Sequence, residues 1–318
     1  MSDASPSKTS ADTVFLDFPS DALAWSKIDP ERRVGLPSGR DTSPHVFTTV
    51  IMAMLLMAMI YGLAFLMRGY LNSFDPSSFE SAASSELTSP LYGDLLWTLL
   101  TGYSRIPVAI FAIGSWAASI LLLKSLKIRA QRVALDFDVL PPEPGFRLTP
   151  DTVDPVIDHV ESTVADSGRF LFLDRVISVL RNVRNVGRVS DIDEMFASAA
   201  DADEARMESS YTIIRGFIWA VPVLGFIGTI LGLTEAISQF GVVLASGNGV
   251  ANTDTAELGR VIAGLDTAFV TTGEGLVVAL LLQLAMASIR RADEVLLDDI
   301  RKTCTKKVMS RVRIKVDS

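Results

Sequence analysis

The chain has 318 residues, 49% of them hydrophobic, and a mean hydropathy of +0.35. Apolar content at that level, gathered into blocks, excludes a wholly soluble protein. A single cysteine, Cys304, and two histidines, His45 and His159, exclude an internal disulfide, a cysteine-rich metal site and a histidine-built metal centre. The formal net charge of −8 says less than where the charges fall.

In chain order, residues 1–45 are rich in Ser, Asp and Pro and read as a mostly irregular arm, with a short amphipathic piece around Phe15–Trp25. A bilayer core of about 30 Å takes roughly 20 apolar residues of helix to cross. The block VFTTVIMAMLLMAMIYGLAFLM meets that standard without a charge and gives a first span over 46–68. It is too long and lies too far into the chain for a cleaved signal peptide. Residues 69–104 form a loop in which GDLLWTLLTGY has apolar residues at helical spacing and two aromatics, read either as an interfacial helix or as an extension of the next span. IPVAIFAIGSWAASILLL, also uncharged, places the second span over 105–126. Residues 127–210 are polar, with a Pro-rich break, LPPEPGFRLTPDTVDP, followed by two helical patterns. The later pattern, VSDIDEMFASAADADEARMESSYTIIRG, runs without a breaker into a third span over 211–237. Its acidic residues read first as a solvated helix face, with a partner-docking face the alternative. A loop over 238–260 precedes the fourth span, 261–290, which continues without Pro or Gly into a C-terminal helix over 291–318. Val295, Leu296, Leu297 and Ile300 are the expected buried side of that extension.

Lys and Arg mark the cytoplasmic side. They cluster before the first span (Lys27, Arg32, Arg33, Arg40), after the second (Lys124, Lys127, Arg129, Arg132) and after the fourth (Arg290, Arg291, Arg301, Lys302). Both termini and the segment 127–210 are therefore expected in the cytoplasm, and the loops 69–104 and 238–260 on the periplasmic side. The expected fold is all-α: a polytopic membrane protein with four transmembrane helices, the third and fourth extended into the cytoplasm as long helices.

The last two spans carry the chemistry. The third holds Pro222, Gly225, Gly228 and Gly232, with Thr229 beside the middle pair. Gly228 and Gly232 are four apart and share a face, which lets a neighbouring helix approach closely. Plain helix packing accounts for the glycines, and a Thr hydroxyl often bonds back to its own helix. The fourth span has Asp266 at its outer mouth and Glu274 near mid-membrane, with Thr267, Thr271 and Thr272 between them. Thr267, Thr271 and Glu274 are spaced i, i+4, i+7 and fall on one face. Thr272 points about 100° away, on the face of Ala268 and Gly275. An ionised carboxylate at bilayer centre costs at least about 2.5 kcal/mol. Two readings of Glu274 follow: it faces an ion path, or it is protonated and hydrogen-bonded to Thr271 or a neighbouring subunit for assembly.

VPVLGFIGTILGL resembles the glycine- and threonine-bearing signature of the third MotA helix, and TAFVTTGEGLVVALL its companion in the fourth, within the MotA/TolQ/ExbB family of ion-channel motor subunits. The resemblance puts Thr229 and Thr272 on the two threonines that line that family's ion path. It implies a homopentamer around two copies of a single-span MotB/TolR/ExbD-like partner, in the bacterial inner membrane, with ion flow converted to mechanical work. The partners so implied are that subunit, membrane lipid and a cytoplasmic rotor or effector. No nucleic acid and no cofactor beyond the transported H+ or Na+ is expected. Glu274 departs from the family pattern, which has an apolar residue there. The Thr271–Thr272 pair also occurs in sodium-driven stators and outside them, so protons are the first expectation and sodium the alternative.

Two other classes remain. One is a secondary transporter binding a small substrate at Asp266, Glu274 and the Gly-rich third span, although the two hairpins share no repeat. The other is a non-conducting scaffold, which leaves the intramembrane Thr, Asp and Glu residues unused. No nucleophile–base constellation, phosphate loop or HExxH motif is present, so an enzyme is not expected.

Overall fold

No water reaches backbone N–H and C=O groups in a bilayer core, so apolar blocks of spanning length close their hydrogen bonds as helices. The computed structural model describes residues 23–39, 41–72, 105–140, 146–149, 152–183, 189–245 and 255–311. Its helices are α1 (Trp25–Ile28), α2 (Pro30–Arg33), α3 (Val46–Asn72), α4 (Ile106–Val133), α5 (Val153–Thr163), α6 (Leu171–Asn182), α7 (Val189–Ser210), α8 (Thr212–Ala245) and α9 (Thr255–Thr303). Only Tyr211 separates α7 from α8, and α9 passes into a π turn over Cys304–Val308. Four helical stretches are long and apolar enough to cross a membrane, the last two being the longest. The chain is thus an all-α polytopic membrane protein, with one isolated bridge, Ala24 to Ala165, outside the helices of the described residues. The interfacial helix expected within 69–104 and the start of the piece around Phe15–Trp25 lie outside those residues.

The chain divides into two compact units. One contains 1–48, 123–210 and 289–318. Its core is built by α5 and α6, whose apolar residues recur at helical spacing: Val153, Val156, Ile157 and Val160 on α5, and Phe172, Leu173, Val176 and Leu180 on α6. The C-terminal part of α9 adds Leu296 and Ile300, and the π turn that follows adds Cys304, a row at i, i+4, i+8. Leu297 packs at the edge of this core, but Val295, expected on the same side, is 41% exposed because it lies about 100° round the helix from Leu296.

The N-terminal arm is more structured than its composition suggests. From Leu23 onward it docks on this core, with Trp25 0% exposed and edge-on to Phe170 at 5.1 Å between ring centroids. Polar groups hold it there. Glu31 accepts from the backbone N–H of Gly39 and of His45, each at 2.8 Å, and pairs with Lys127 at 2.6 Å. Lys127 also donates to the Gly39 and Ser43 carbonyls. Lys124 pairs with Asp293 at 2.9 Å and donates to Thr42 and Ser210. Lys124 and Lys127, expected merely to flank a span, are therefore fully buried structural cations. In the acidic run of α7, Asp203 is buried against Arg175 of α6 instead of facing solvent.

The other unit contains 49–122 and 211–288. Here α3, the membrane part of α4, α8 and the first part of α9 pack around Ile110, Val221 and Ala279. Trp116 donates to the Thr49 hydroxyl at 3.1 Å and stacks on Phe217. Large apolar side chains such as Met54, Leu63, Phe226, Ile237, Phe269 and Leu280 stay exposed, as they can where lipid or other apolar protein is the surrounding medium. Pro222 sits inside α8, leaving the Ile218 carbonyl without its helical donor.

Removing one partner of a buried ion pair leaves the other charge uncompensated, at about 3–5 kcal/mol, whereas replacing both with apolar residues is often neutral. Lys124→Met should therefore lower the denaturant midpoint of the detergent-solubilised chain sharply. Lys124→Met with Asp293→Leu should recover most of the loss.

Candidate functional site

The seam between α8 and α9 is made by residues without bulk. At Gly225 a Cβ would stand 2.9 Å from the Thr271 carbonyl oxygen and 3.2 Å from Thr272 Cα. At Gly232 it would stand 2.6 Å from the Gly264 carbonyl oxygen, and at Gly264 2.8 Å from the Ala236 backbone nitrogen. The two backbones approach this closely only because these side chains are absent. Gly228 receives Thr271, whose Cβ lies 2.7 Å from the position a Gly228 Cβ would take, and Gly275 meets Val221 and Gly225 in the same way.

Close approach brings hydroxyls of one helix onto carbonyls of the other. Thr229 reaches the Ala268 carbonyl across the seam at 3.2 Å and its own Gly225 carbonyl at 3.4 Å. Thr272 reaches the Gly225 carbonyl across the seam at 3.2 Å and its own Ala268 carbonyl at 3.2 Å. The two hydroxyls also hydrogen-bond each other. Each hydroxyl has one proton to donate and two lone pairs to accept with. Four oxygens therefore share two protons, which leaves surplus lone pairs in a half-buried, apolar setting. Such a cluster can replace part of a cation's hydration shell or order a short chain of water, and it carries no fixed charge that would trap the ion.

The other expected site residues are distributed differently. Thr267 and Thr271 spend their hydroxyls on their own helix, on the Ala263 and Thr267 carbonyls, each at 2.9 Å. Thr267 also borders a cleft of about 500 Å³ lined by Gly232, Glu235, Gln239, Arg260 and Gly264. Asp266 is exposed on α9 and is not brought to the threonine cluster. Glu274 is buried with no hydrogen-bond partner among the described residues, so the bond to Thr271 that one of its two readings allowed is not made. Pro222 is half-buried one turn from Gly225. Gly264 and Ala236 were not read as seam residues, and neither was the role of the Ala268 carbonyl. The spacing that marks Gly228 and Gly232 recurs at Gly264, Ala268 and Thr272 and would have found two of the three. Among the described residues no group of His, Cys, Asp and Glu is arranged to hold a metal ion.

The fold and the seam thus define a helical membrane protein with hydroxyls and carbonyls gathered between two tightly packed spans. Residues 172–302 match the MotA/TolQ/ExbB proton channel family. That stretch, less than half of the chain, runs from α6 through most of α9 and includes the whole seam. No curated protein and no solved structure matches the chain.

Overpacking a tight contact costs about 1–3 kcal/mol. Gly232→Leu and Gly264→Leu should each lower the thermal midpoint of the purified chain. A Cβ at Gly273 meets nothing within 4 Å, so Gly273→Ala should raise the midpoint by the helix-propensity difference of about 1 kcal/mol.

Proposed function

We propose that the chain is the channel-forming subunit of an ion-driven motor. In this reading five copies surround two copies of a single-span partner in the bacterial inner membrane, with the chain's termini in the cytoplasm. The observation that carries it is the Thr229–Thr272 hydroxyl cluster, closed by the Gly225 and Ala268 carbonyls inside the stretch that matches the family.

Ions would pass between this surface and an acidic residue of the partner's helix. Protons are favoured and sodium is the alternative. A hydroxyl both donates and accepts, so it can hand a proton along a hydrogen-bonded chain without acquiring a charge itself. One elementary charge moving through about 100 mV releases about 2.3 kcal/mol, enough to bias a step between equivalent positions of a ring. The exposed apolar faces of α8 and α9, including Phe226, Ile230, Phe269 and Leu276, are suited to neighbours in such a ring.

Thr272→Val keeps the volume and removes the hydroxyl, and Thr229→Ala removes the other hydroxyl at little cost in size. In proteoliposomes holding the chain with its partner, each should leave assembly intact and reduce ion flux to the protein-free baseline. Full flux from both variants would refute the assigned path. Native mass spectrometry of the purified complex should count five copies with two of a single-span protein. A monomer or dimer without such a protein would refute the motor reading and favour a transporter.

A further inference from the structure

Glu274 stands apart from the threonine cluster. Two helical positions separate side-chain directions by about 200°, so Glu274 and Thr272 leave α9 on opposite flanks of the seam. One turn on from Glu274, Val278 follows the same row and meets α4, where a Cβ on Gly114 would lie 2.8 Å from Val278 Cγ1. Glu274 thus leaves α9 on the flank that α4 covers, with Tyr61 of α3 within electrostatic reach.

Its setting is that of a neutral acid. The residue is 9% exposed, and neither carboxyl oxygen has a hydrogen-bond partner among the described residues. The hydroxyls on its own face of α9, those of Thr267 and Thr271, are turned onto backbone carbonyls. Nor is a cation at hand among the described residues. Charged residues are absent from α3 between His45 and Arg68, from α4 between Arg105 and Lys124, and from α8 between Arg215 and Glu235. Tyr61 is the one titratable group on those three stretches, and on α9 the neighbouring charges are Asp266 and Arg290. A carboxylate stripped of water and given neither donor nor cation is strongly disfavoured, whereas a carboxylic acid gives up far less on burial.

We propose that Glu274 is a proton-binding site inside the subunit, on the flank of α9 opposite the Thr229–Thr272 cluster and separate from it. Uptake forms an O–H bond on one carboxylate oxygen and removes one negative charge from the apolar bundle. Release breaks that bond, returns the proton to the aqueous phase and leaves a carboxylate that the packed bundle disfavours. Proton occupancy is thereby linked to the packing of α9 against α4 and α3: the protonated form favours the closed arrangement, and the ionised form favours one that admits water. This site does not depend on the ion path assigned to the threonines.

Infrared difference spectroscopy of the full-length protein in lipid membranes tests it, comparing wild type with Glu274→Gln. At neutral pH the wild type should show the C=O stretch of one neutral carboxylic acid per chain that the variant lacks. The band should persist in Thr272→Val, be lost as pH is raised, and be indifferent to exchanging potassium for sodium at fixed pH. Absence of the band at neutral pH overturns the proposal, since Glu274 would then be ionised. Loss of the band on adding sodium also overturns it, by marking an alkali-cation site. If Glu274→Gln fails to assemble, Glu274→Asp retains a carboxyl and should move the band in frequency, and an unmoved band refutes the assignment. Because Thr272→Val is read on the same band, failure of the threonine path and failure of the Glu274 site give different results.

Discussion

The approach of α8 and α9 governs what the membrane unit can do. Without Cβ atoms at Gly225, Gly232 and Gly264, carbonyl oxygens of one helix come within contact of backbone atoms of the other. Backbone dipoles and threonine hydroxyls can then share hydrogen bonds across the seam, as Thr229 does with Ala268 and Thr272 with Gly225. In lipid there is no hydrophobic force to drive helices together, so van der Waals contact and such hydrogen bonds have to do it. The same contacts that hold the pair together collect the oxygens of the proposed ion path, so a bulky substitution there would disturb both.

The polar unit solves the opposite problem. Its charges are buried, and burial is tolerable only with partners in place. Lys124 is surrounded by Asp293, Thr42 and Ser210, and Lys127 by Glu31 and two carbonyls. These contacts join segments distant in sequence: the N-terminal arm, the end of α4, the end of α7 and the polar part of α9. Gln131 does similar work with neutral groups, donating to the Arg169 carbonyl and accepting from the Leu171 N–H at the start of α6. Geometry of this kind gives the unit a specific arrangement that apolar burial alone would leave loosely defined.

Glu274 breaks the rule that the polar unit follows. Its two oxygens are left without donors in an apolar bundle, a situation that charge disfavours and protonation relieves. Natural sequences concentrate such local inconsistencies at functional positions.

Much of this was legible in the chain itself. Four spans and their order follow from block length, because membrane thickness and helical rise are constants, and the long extensions of the last two follow from the absence of Pro and Gly in those extensions. Spacing within a helix also showed that Gly228 and Gly232 share a face, whereas Thr229 and Thr272 were brought together only by the family resemblance, and their contact by the packed structure. Tertiary structure alone decided what lies opposite each face. The helical period placed Glu274 with Thr267 and Thr271, yet the position of α8 sends Thr271 into Gly228 and leaves Glu274 on the side covered by α4. It likewise turned Lys124 and Lys127 from flanking charges into buried anchors and supplied the core in which Trp25, read only as the end of a short amphipathic piece, is seated. Periodicity encodes direction around one helix axis, whereas the partner across a contact depends on the rotation and offset between two helices, and those emerge only when the whole set packs.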